Sequence, residues 1–248
     1  MITLNTLESN VTRHCIFHCA CCSHASPWAK PYFMRPEQLA KDLATMKPFV
    51  HCKQFFALGG EPLLHPRICE ILDVITASGI ADQNGVLTNG ALLGRMPEEF
   101  WQKVKCLRIS VYPKLDRAMI ALAQSKASQY GFFLGISYID LFWKQFKRVS
   151  DDGRESFAHC PWKGSCLTVH DGYFYLCPNS AFFPDTFMGL PIETDGLKLD
   201  ETLTEEKFRA FLDRREPFVT CQICHSYGER NAWHEVNSLE EWKKDATL

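Results

Sequence analysis

Two short stretches are the most informative part of the chain: CIFHCACC at residues 15–22 and FFALGGEP at residues 55–62. The first has the cysteine spacing C-x3-C-x2-C. Three thiolates can hold three irons of a [4Fe–4S] cube and leave the fourth iron open, which is typical of a catalytic rather than a structural site. The second stretch is an apolar strand followed by the turn Gly59-Gly60-Glu61-Pro62. Its glycines can present backbone polar groups close to that iron, because they carry no Cβ.

Composition narrows the classes of function. The chain has 248 residues, and 46% of them are apolar, which is enough for one barrel-sized domain or a domain with a small appendage. The formal net charge of −2 argues against nucleic acid or an anionic membrane as the main partner. Residues 1–14 lack the pattern of a secretory signal, and no stretch reaches the ~20 apolar residues that span a bilayer. We therefore expect a cytoplasmic protein.

The cysteines are numerous and unevenly placed. Twelve cysteines in a cytoplasmic chain indicate metal binding or catalysis rather than disulfides. Most lie in residues 15–22 and 160–224. Cys52, Cys69 and Cys106 lie between these groups, beside apolar residues, and are predicted to be ordinary buried thiols.

The apolar pattern predicts alternating strands and helices in the first part of the chain. Strands are expected at residues 2–7, 54–58, 85–88, 107–112 and 132–138. Helices are expected at residues 36–46, 67–78, 97–104 and 116–129. This alternation predicts a parallel sheet, whose functional residues lie at the C-terminal ends of the strands. The cysteine triplet, the Gly-Gly-Glu turn and Asn89 each follow a strand, so we expect all three on the same rim.

The pattern changes near residue 150. Two short apolar runs flank Asp171-Gly172 and predict a β-hairpin with a tight turn. A helix is expected around residues 204–212, and a capping box at Ser238-x-x-Glu241 predicts a short helix in the tail. We therefore expect two domains, residues 1–150 and residues 151–248.

In this order, the motifs resemble those of radical S-adenosylmethionine (radical SAM) enzymes. The resemblance rests on the cysteine triplet, on GGEPLLHP at residues 59–66, on Thr88-Asn89-Gly90 and on Ser110, and it covers about residues 2–140. It implies an α/β fold, a partial and shortened (β/α) TIM-like barrel. The barrel is short because five strands are expected where the family usually has six.

The resemblance also implies cofactors and roles. Cys15, Cys19 and Cys22 would ligate a catalytic [4Fe–4S] cluster, whose open iron would chelate SAM. Residues implied to contact SAM are Gly59, Gly60, Glu61, Asn89, Ser110 and Ile136. An electron from a donor such as flavodoxin or ferredoxin would then generate a 5′-deoxyadenosyl radical, which abstracts hydrogen from an unactivated C–H bond.

One position departs from the family pattern. Cys21 stands where the family often has an aromatic residue against adenine, and it is also a rival ligand. We favour Cys22 because it completes the spacing. His24 and Ser26 follow closely and are either contacts to substrate or cofactor, or part of a polar loop.

The C-terminal cysteines resemble the Twitch or SPASM appendage of the same superfamily, in which a β-hairpin and a helix hold an auxiliary [4Fe–4S] cluster. The implied ligands are Cys160, Cys177, Cys221 and Cys224. Because no cysteine follows Cys224, we expect one auxiliary cluster rather than two. Cys166 is the alternative to Cys160, or a free thiol, and a structural zinc site is the alternative for the whole set.

The preferred function is a radical SAM oxidoreductase that dehydrogenates a small polar metabolite, such as a sugar or an aminocyclitol. Such a reaction needs a base, and Tyr138, Asp140 and Arg148 are candidates by position. A maturase acting on a ribosomally made peptide is one alternative. An epimerase, with Cys166 or Cys21 as hydrogen-atom donor, is another. The open cysteine site and the Gly-Gly-Glu turn argue against a non-enzymatic iron–sulfur or zinc protein.

Overall fold

The computed structural model describes residues 1–26, 28–147, 151–225 and 229–246. Arg148, one of the candidate bases, lies outside these ranges. The main sheet has eight strands in the order β5-β4-β3-β2-β1-β7-β8-β9. These strands are β1 (Ile2–Thr12), β2 (Val50–Gly59), β3 (Ala81–Thr88), β4 (Cys106–Val111), β5 (Phe133–Tyr138), β7 (Thr168–His170), β8 (Tyr173–Tyr175) and β9 (Leu197–Lys198). A second, two-stranded sheet pairs β6 (Leu141–Trp143) with β10 (Arg230–Ala232).

The helices follow the predicted alternation. In the described residues they are α1 (Pro36–Met46), α2 (Ile68–Ser78), α3 (Glu98–Lys103), α4 (Arg117–Tyr130), α5 (Arg154–Ala158), α6 (Pro178–Phe183), α7 (Glu205–Leu212) and α8 (Leu239–Ala246). Their ends match local signals in the sequence. Pro36 opens α1, Gly79 ends α2 in the left-handed conformation with φ 60°, and the Asp116 side chain accepts the Ala118 N–H at the start of α4. No helix of the described residues combines the length and the apolar character that a membrane crossing needs.

Strands β1 to β5 are all parallel, which confirms the predicted α/β class and a barrel that is only partial. The predicted first strand was too short, since β1 continues to Thr12. Its second half is polar but fully buried. Leu7 and Val11 pack into the main core, while Glu8, Asn10 and Thr12 alternate with them and lie on the inner face. This run of buried polar residues explains why the strand is hard to recognise in the sequence.

The predicted hairpin is present and extends the same sheet. Strands β7 and β8 are antiparallel around Asp171-Gly172, and both turn residues have positive φ, as a tight two-residue turn requires. Strand β7 pairs in parallel with β1, with Glu8 opposite Thr168. The main sheet is therefore continuous across residue 150, where we expected a domain boundary.

The end of the chain returns to the cysteine-rich loop near its start. The Ala20 N–H donates to the His234 carbonyl at 3.0 Å, and the Val236 N–H donates to the His18 carbonyl at 2.9 Å. Trp242, a residue of α8, is buried in a small second core that also contains Cys21. The C-terminal segment thus packs directly on the loop that follows β1.

Candidate active site and cysteine sites

The C-terminal ends of β1 to β4 meet at a cavity of about 130 Å3. Cys15, Cys19 and Cys22 all line it, and none is in a disulfide. The predicted residues on the neighbouring strands line the same cavity: Gly59, Gly60, Asn89 and Ser110. The structure therefore brings the cysteine triplet and the three other motifs to one rim.

The Gly-Gly turn packs closely against the backbone of residues 12–14, which directly precede Cys15. A Cβ on Gly59, whose φ is +144°, would lie 2.1 Å from the Thr12 carbonyl oxygen. A Cβ on Gly60 would lie 2.1 Å from the His14 carbonyl oxygen. The N–H groups of Gly60 and Glu61 donate to these two carbonyls, at 2.9 and 2.7 Å. Only glycine allows this approach, which fixes the turn beside Cys15.

The Glu61 side chain links two strand ends. Its carboxylate accepts hydrogen bonds from the Leu63 N–H at 3.0 Å, the Thr88 hydroxyl at 2.5 Å and the Asn89 N–H at 2.8 Å. Burial raises the pKa of Glu61 to about 7, while the hydrogen bonds act in the opposite direction. This carboxylate turns away from the cavity and holds the loop after β3 in place.

Two nitrogen donors face the cysteines of this rim. Trp233 Nε1 donates to Cys19 Sγ at 3.1 Å, and Asn89 Nδ2 lies 3.8 Å from Cys15 Sγ. Burial raises the pKa of Cys15 and Cys22, and it raises the pKa of Cys19 to about 12. A buried thiolate therefore requires a metal or another positive charge. The donor set, three thiols that line one cavity together with the Gly-Gly turn and Asn89, fits a cluster with one open iron.

Cys21 points away from this cavity. Its backbone is left-handed, with φ 60°, and its Sγ donates to the Asp245 carbonyl at 3.4 Å in the core beneath α8. Cys22 instead lines the cavity. The geometry favours the choice of Cys22 over Cys21 as the third ligand.

A second group of cysteines meets elsewhere in the fold. All four C-terminal candidates line one tight cavity of about 30 Å3: Cys160, Cys177, Cys221 and Cys224. Its walls include Phe157, Leu176 and Phe218. The described residues contain no group of three His, Cys, Asp or Glu side chains arranged to hold a single metal ion.

In this second group Cys224 is buried, and the other three cysteines are partly buried. Burial raises the pKa of Cys177, that of Cys221 to about 11 and that of Cys224 to about 12. Asn179 Nδ2 donates to Cys224 Sγ at 3.3 Å. Four thiols with an amide donor and apolar walls fit a closed iron–sulfur site. Cys166, the alternative to Cys160, does not line this cavity.

A larger cavity of about 400 Å3 lies between the two cysteine groups. It shares wall residues with the first site, among them His24, Tyr112 and Phe142. It also shares Cys160, Cys177 and Cys224 with the second site. Other lining residues are Glu8, Gln145, Trp143, Trp162, Cys166 and Asn179. Its volume falls within the range of about 300–1,000 Å3 for small-molecule sites.

Two of the predicted bases, Tyr138 and Asp140, do not line this cavity. Tyr138 is 71% exposed, and Asp140 is exposed as well. Cys166 does line it. Ile136, expected against adenine, lies outside the walls of the first site and packs, partly buried, against the main core.

Sequence reasoning missed three residues of the site: Glu8, Tyr112 and Trp233. Glu8 carries the clearest signal, because a charged residue inside a buried parallel strand is rare unless it has a function. Tyr112 directly follows β4, two residues after the predicted Ser110, and lines both the first site and the larger cavity. Trp233 carries no local signal, because its position depends on how the C-terminal segment packs.

Comparison with known proteins agrees with this architecture. Residues 9–114 match the model of the Radical SAM superfamily. A search of curated protein sequences found no match.

Among solved structures, a histidine-tagged form of anSMEcpe with bound AdoMet is similar, with a TM-score of 0.55 at 16% identity, covering 99% of this chain and 96% of that one. Native anSMEcpe with bound AdoMet and the Kp18Cys peptide gives a TM-score of 0.53 at 16% identity, covering 83% and 80%. BtrN in complex with AdoMet and 2-DOIA gives 0.45 at 14% identity, covering 71% and 74%. At these identities, the likeness to anSMEcpe shows the fold.

Proposed function

We propose that the protein is a cytoplasmic radical SAM oxidoreductase that removes hydrogen from a small polar metabolite, such as a sugar or an aminocyclitol. The observation that carries this proposal is the 400 Å3 cavity, which shares walls with a three-cysteine site on one side and a four-cysteine site on the other. A molecule in this cavity would lie between a site with an open metal position and a site without one.

Each site would hold a group with a separate task. A [4Fe–4S] cluster on Cys15, Cys19 and Cys22, with SAM bound to it, supplies the abstraction of a hydrogen atom, and a flavodoxin or ferredoxin would supply the electron. Gly59, Gly60, Asn89 and Ser110 line the same cavity, and so would bind SAM. Tyr112 and Phe142, stacked 5.8 Å apart, form a wall between the SAM site and the substrate cavity and exclude water.

We assign the second site to an auxiliary [4Fe–4S] cluster held by Cys160, Cys177, Cys221 and Cys224, which would provide an electron acceptor. Cys160 is preferred over Cys166 because it lines the same cavity as the other three. We propose that residues 151–248 form a Twitch-like unit around this cluster. The hairpin of this unit, β7 and β8, is part of the main sheet.

Epimerisation is the second candidate function, and Cys166 is the observation in its favour. Cys166 lines the substrate cavity, which is where a hydrogen-atom donor would have to be. It does not line the auxiliary site. Epimerisation would give an isomer of the substrate that carries one deuterium from the solvent. Formation of this product by the wild type and its loss in Cys166→Ala would establish this alternative over dehydrogenation.

A short peptide is the other substrate class, since native anSMEcpe binds one in its solved structure. The volume of the cavity fits a small molecule or a single side chain better than a length of peptide.

The test is a count of iron, sulfide and zinc on anaerobically reconstituted protein, together with a dithionite assay for 5′-deoxyadenosine. About eight irons per chain, no zinc and formation of 5′-deoxyadenosine are expected. About four irons with one zinc would remove the electron-accepting cluster and, with it, the dehydrogenase mechanism. Intact clusters without cleavage of SAM, across candidate substrates, would contradict the enzyme assignment.

A further inference from the structure

Glu8 is a buried carboxyl group in the middle of a strand. It lies on the inner face of β1, with Phe56 of β2 opposite on one side and Thr168 of β7 opposite on the other. Its side chain lines the 400 Å3 cavity, although the residue is only 9% exposed. The carboxylate therefore faces the space where a substrate would bind.

The hydrogen bonding of Glu8 is incomplete. Its Oε1 accepts from the Thr168 hydroxyl at 3.0 Å. The same hydroxyl lies 3.2 Å from the Cys166 carbonyl oxygen, and its single hydrogen can serve only one of the two acceptors at a time. Within the described residues, Glu8 thus has one shared side-chain donor, whereas a carboxylate can accept about four hydrogen bonds.

The charge of Glu8 is also uncompensated among the described residues. The cavity is lined by no Lys, Arg or second carboxylate within that part of the chain. Its one histidine is His24, whose Nδ1 lies 3.2 Å from the Ser23 hydroxyl oxygen. Among the described residues, no ion pair involves Glu8.

An unpaired carboxylate in such a place is unfavourable unless it takes up a proton or a cation binds beside it. Burial accordingly raises the pKa of Glu8 to about 7. A protonated amine on a ligand would bring both the positive charge and up to three hydrogen-bond donors. The rings of Tyr112 and Phe142 in the same wall also attract cations.

We propose that the cavity selects a small molecule with a protonated amine, and that Glu8 holds this ammonium group. The inference rests on the proposed function, because it takes the 400 Å3 cavity as the substrate site. Gln145 and Asn179 line the same cavity, and their amide groups suit the hydroxyls of an amino sugar or an amino alcohol.

The experiment measures equilibrium binding rather than turnover. Anaerobically reconstituted protein with SAM present is titrated calorimetrically with matched pairs of probes: glucosamine against glucose, and aminocyclohexanol against cyclohexanediol. Each amine is expected to bind at least about tenfold more tightly than its hydroxyl counterpart. Equal binding of amines and hydroxyl compounds, or no binding by any amine, would overturn the proposal.

Three variants identify the group responsible. Glu8→Gln should abolish the preference for amines, whereas Glu8→Asp, which keeps the charge, should retain most of it. Glu201→Gln, at an exposed position, is the matched control and should behave as the wild type. An amine preference that survives Glu8→Gln would assign the selectivity elsewhere and overturn the proposal.

Two readouts on the same samples separate this inference from the proposed function. Iron content and near-UV circular dichroism should be unchanged in Glu8→Gln, which shows that the variant is folded and loaded. The formation of 5′-deoxyadenosine by the wild type tests the radical chemistry alone. A wild type that prefers amines but does not cleave SAM would support the ligand class and contradict the proposed function.

Discussion

The two cysteine groups differ in the number of cysteines, in where those cysteines lie in the chain and in the residues that surround them. At the first site, three cysteines come from one loop of eight residues, and the wall combines glycine backbone and polar groups with aromatic and aliphatic side chains. At the second, four cysteines come from three separated parts of the chain, and the wall is largely aromatic and aliphatic. With the clusters proposed above, the first site would have a position for an exchangeable ligand, whereas the second would have four cysteine ligands.

The comparison shows that the number of cysteines and the chemistry of the surrounding wall change together. An open position is useful only where polar groups can receive a cofactor, and a closed site is best surrounded by apolar residues that exclude water. Both sites nevertheless include a side-chain N–H donor close to a sulfur, from Trp233 to Cys19 at 3.1 Å and from Asn179 to Cys224 at 3.3 Å. These donors provide matched positions for comparing the two sites.

The largest effect is expected at the open site. Cys15→Ala should abolish 5′-deoxyadenosine formation and remove about four of about eight irons, because the cluster loses one of only three protein ligands. Iron analysis and chromatography of the products measure both effects. Cys52→Ala is the control, because Cys52 is a buried cysteine of β2 outside both sites, and this variant should retain all the iron. Cleavage of SAM by Cys15→Ala would contradict the assignment of the open site.

At the closed site the loss should be selective. Cys224→Ala should lose about four irons but keep the reductive cleavage of SAM, because the open site is built from other residues. Cys166→Ala is its control and should keep about eight irons. If Cys166→Ala loses iron and Cys160→Ala does not, the ligand set at this site needs correction.

A third variant tests the wall of the open site. Gly60→Ala should weaken SAM binding by at least about tenfold, because its Cβ would lie 2.1 Å from the His14 carbonyl and 3.1 Å from Cys15 Cβ. Calorimetric titration with SAM measures the change. Gly135→Ala, whose nearest neighbours would lie at an ordinary 3.4 Å, should bind SAM as the wild type does. Equal affinities of the two variants would mean that the close approach of the turn is not needed for binding.

The smallest effect concerns the two N–H donors. Trp233→Phe should lower the reduction potential of the first cluster, and Asn179→Leu that of the second, each by about 20–60 mV, because a hydrogen bond to sulfur stabilises the reduced state. Redox titration followed by electron paramagnetic resonance resolves the two signals. A shift of both signals in either variant would show that the two sites are coupled rather than separate.

Much of the fold could be predicted because its signals are local. The helical periodicity of residues 36–46, the glycine after α2 and the Asp171-Gly172 turn each specify backbone conformation over a few residues. The cysteine triplet and the Gly-Gly turn could be placed on one rim, because parallel strands bring their C-terminal ends together. The second half of β1 was missed, since its inward-facing residues are polar and resemble a loop.

Some features depend only on residues that are close in the sequence, so the sequence by itself determines them. They are the cysteine spacing, the Gly-Gly turn and the alternation of strands and helices. Two other features depend on residues far apart in the chain: Trp233 over Cys19, and Glu8 in the central cavity. Local sequence specifies backbone conformation, but the direction in which a side chain points depends on what the rest of the chain packs against it. Only the tertiary structure therefore decided which side chain donates to Cys19 and which carboxylate faces the central cavity.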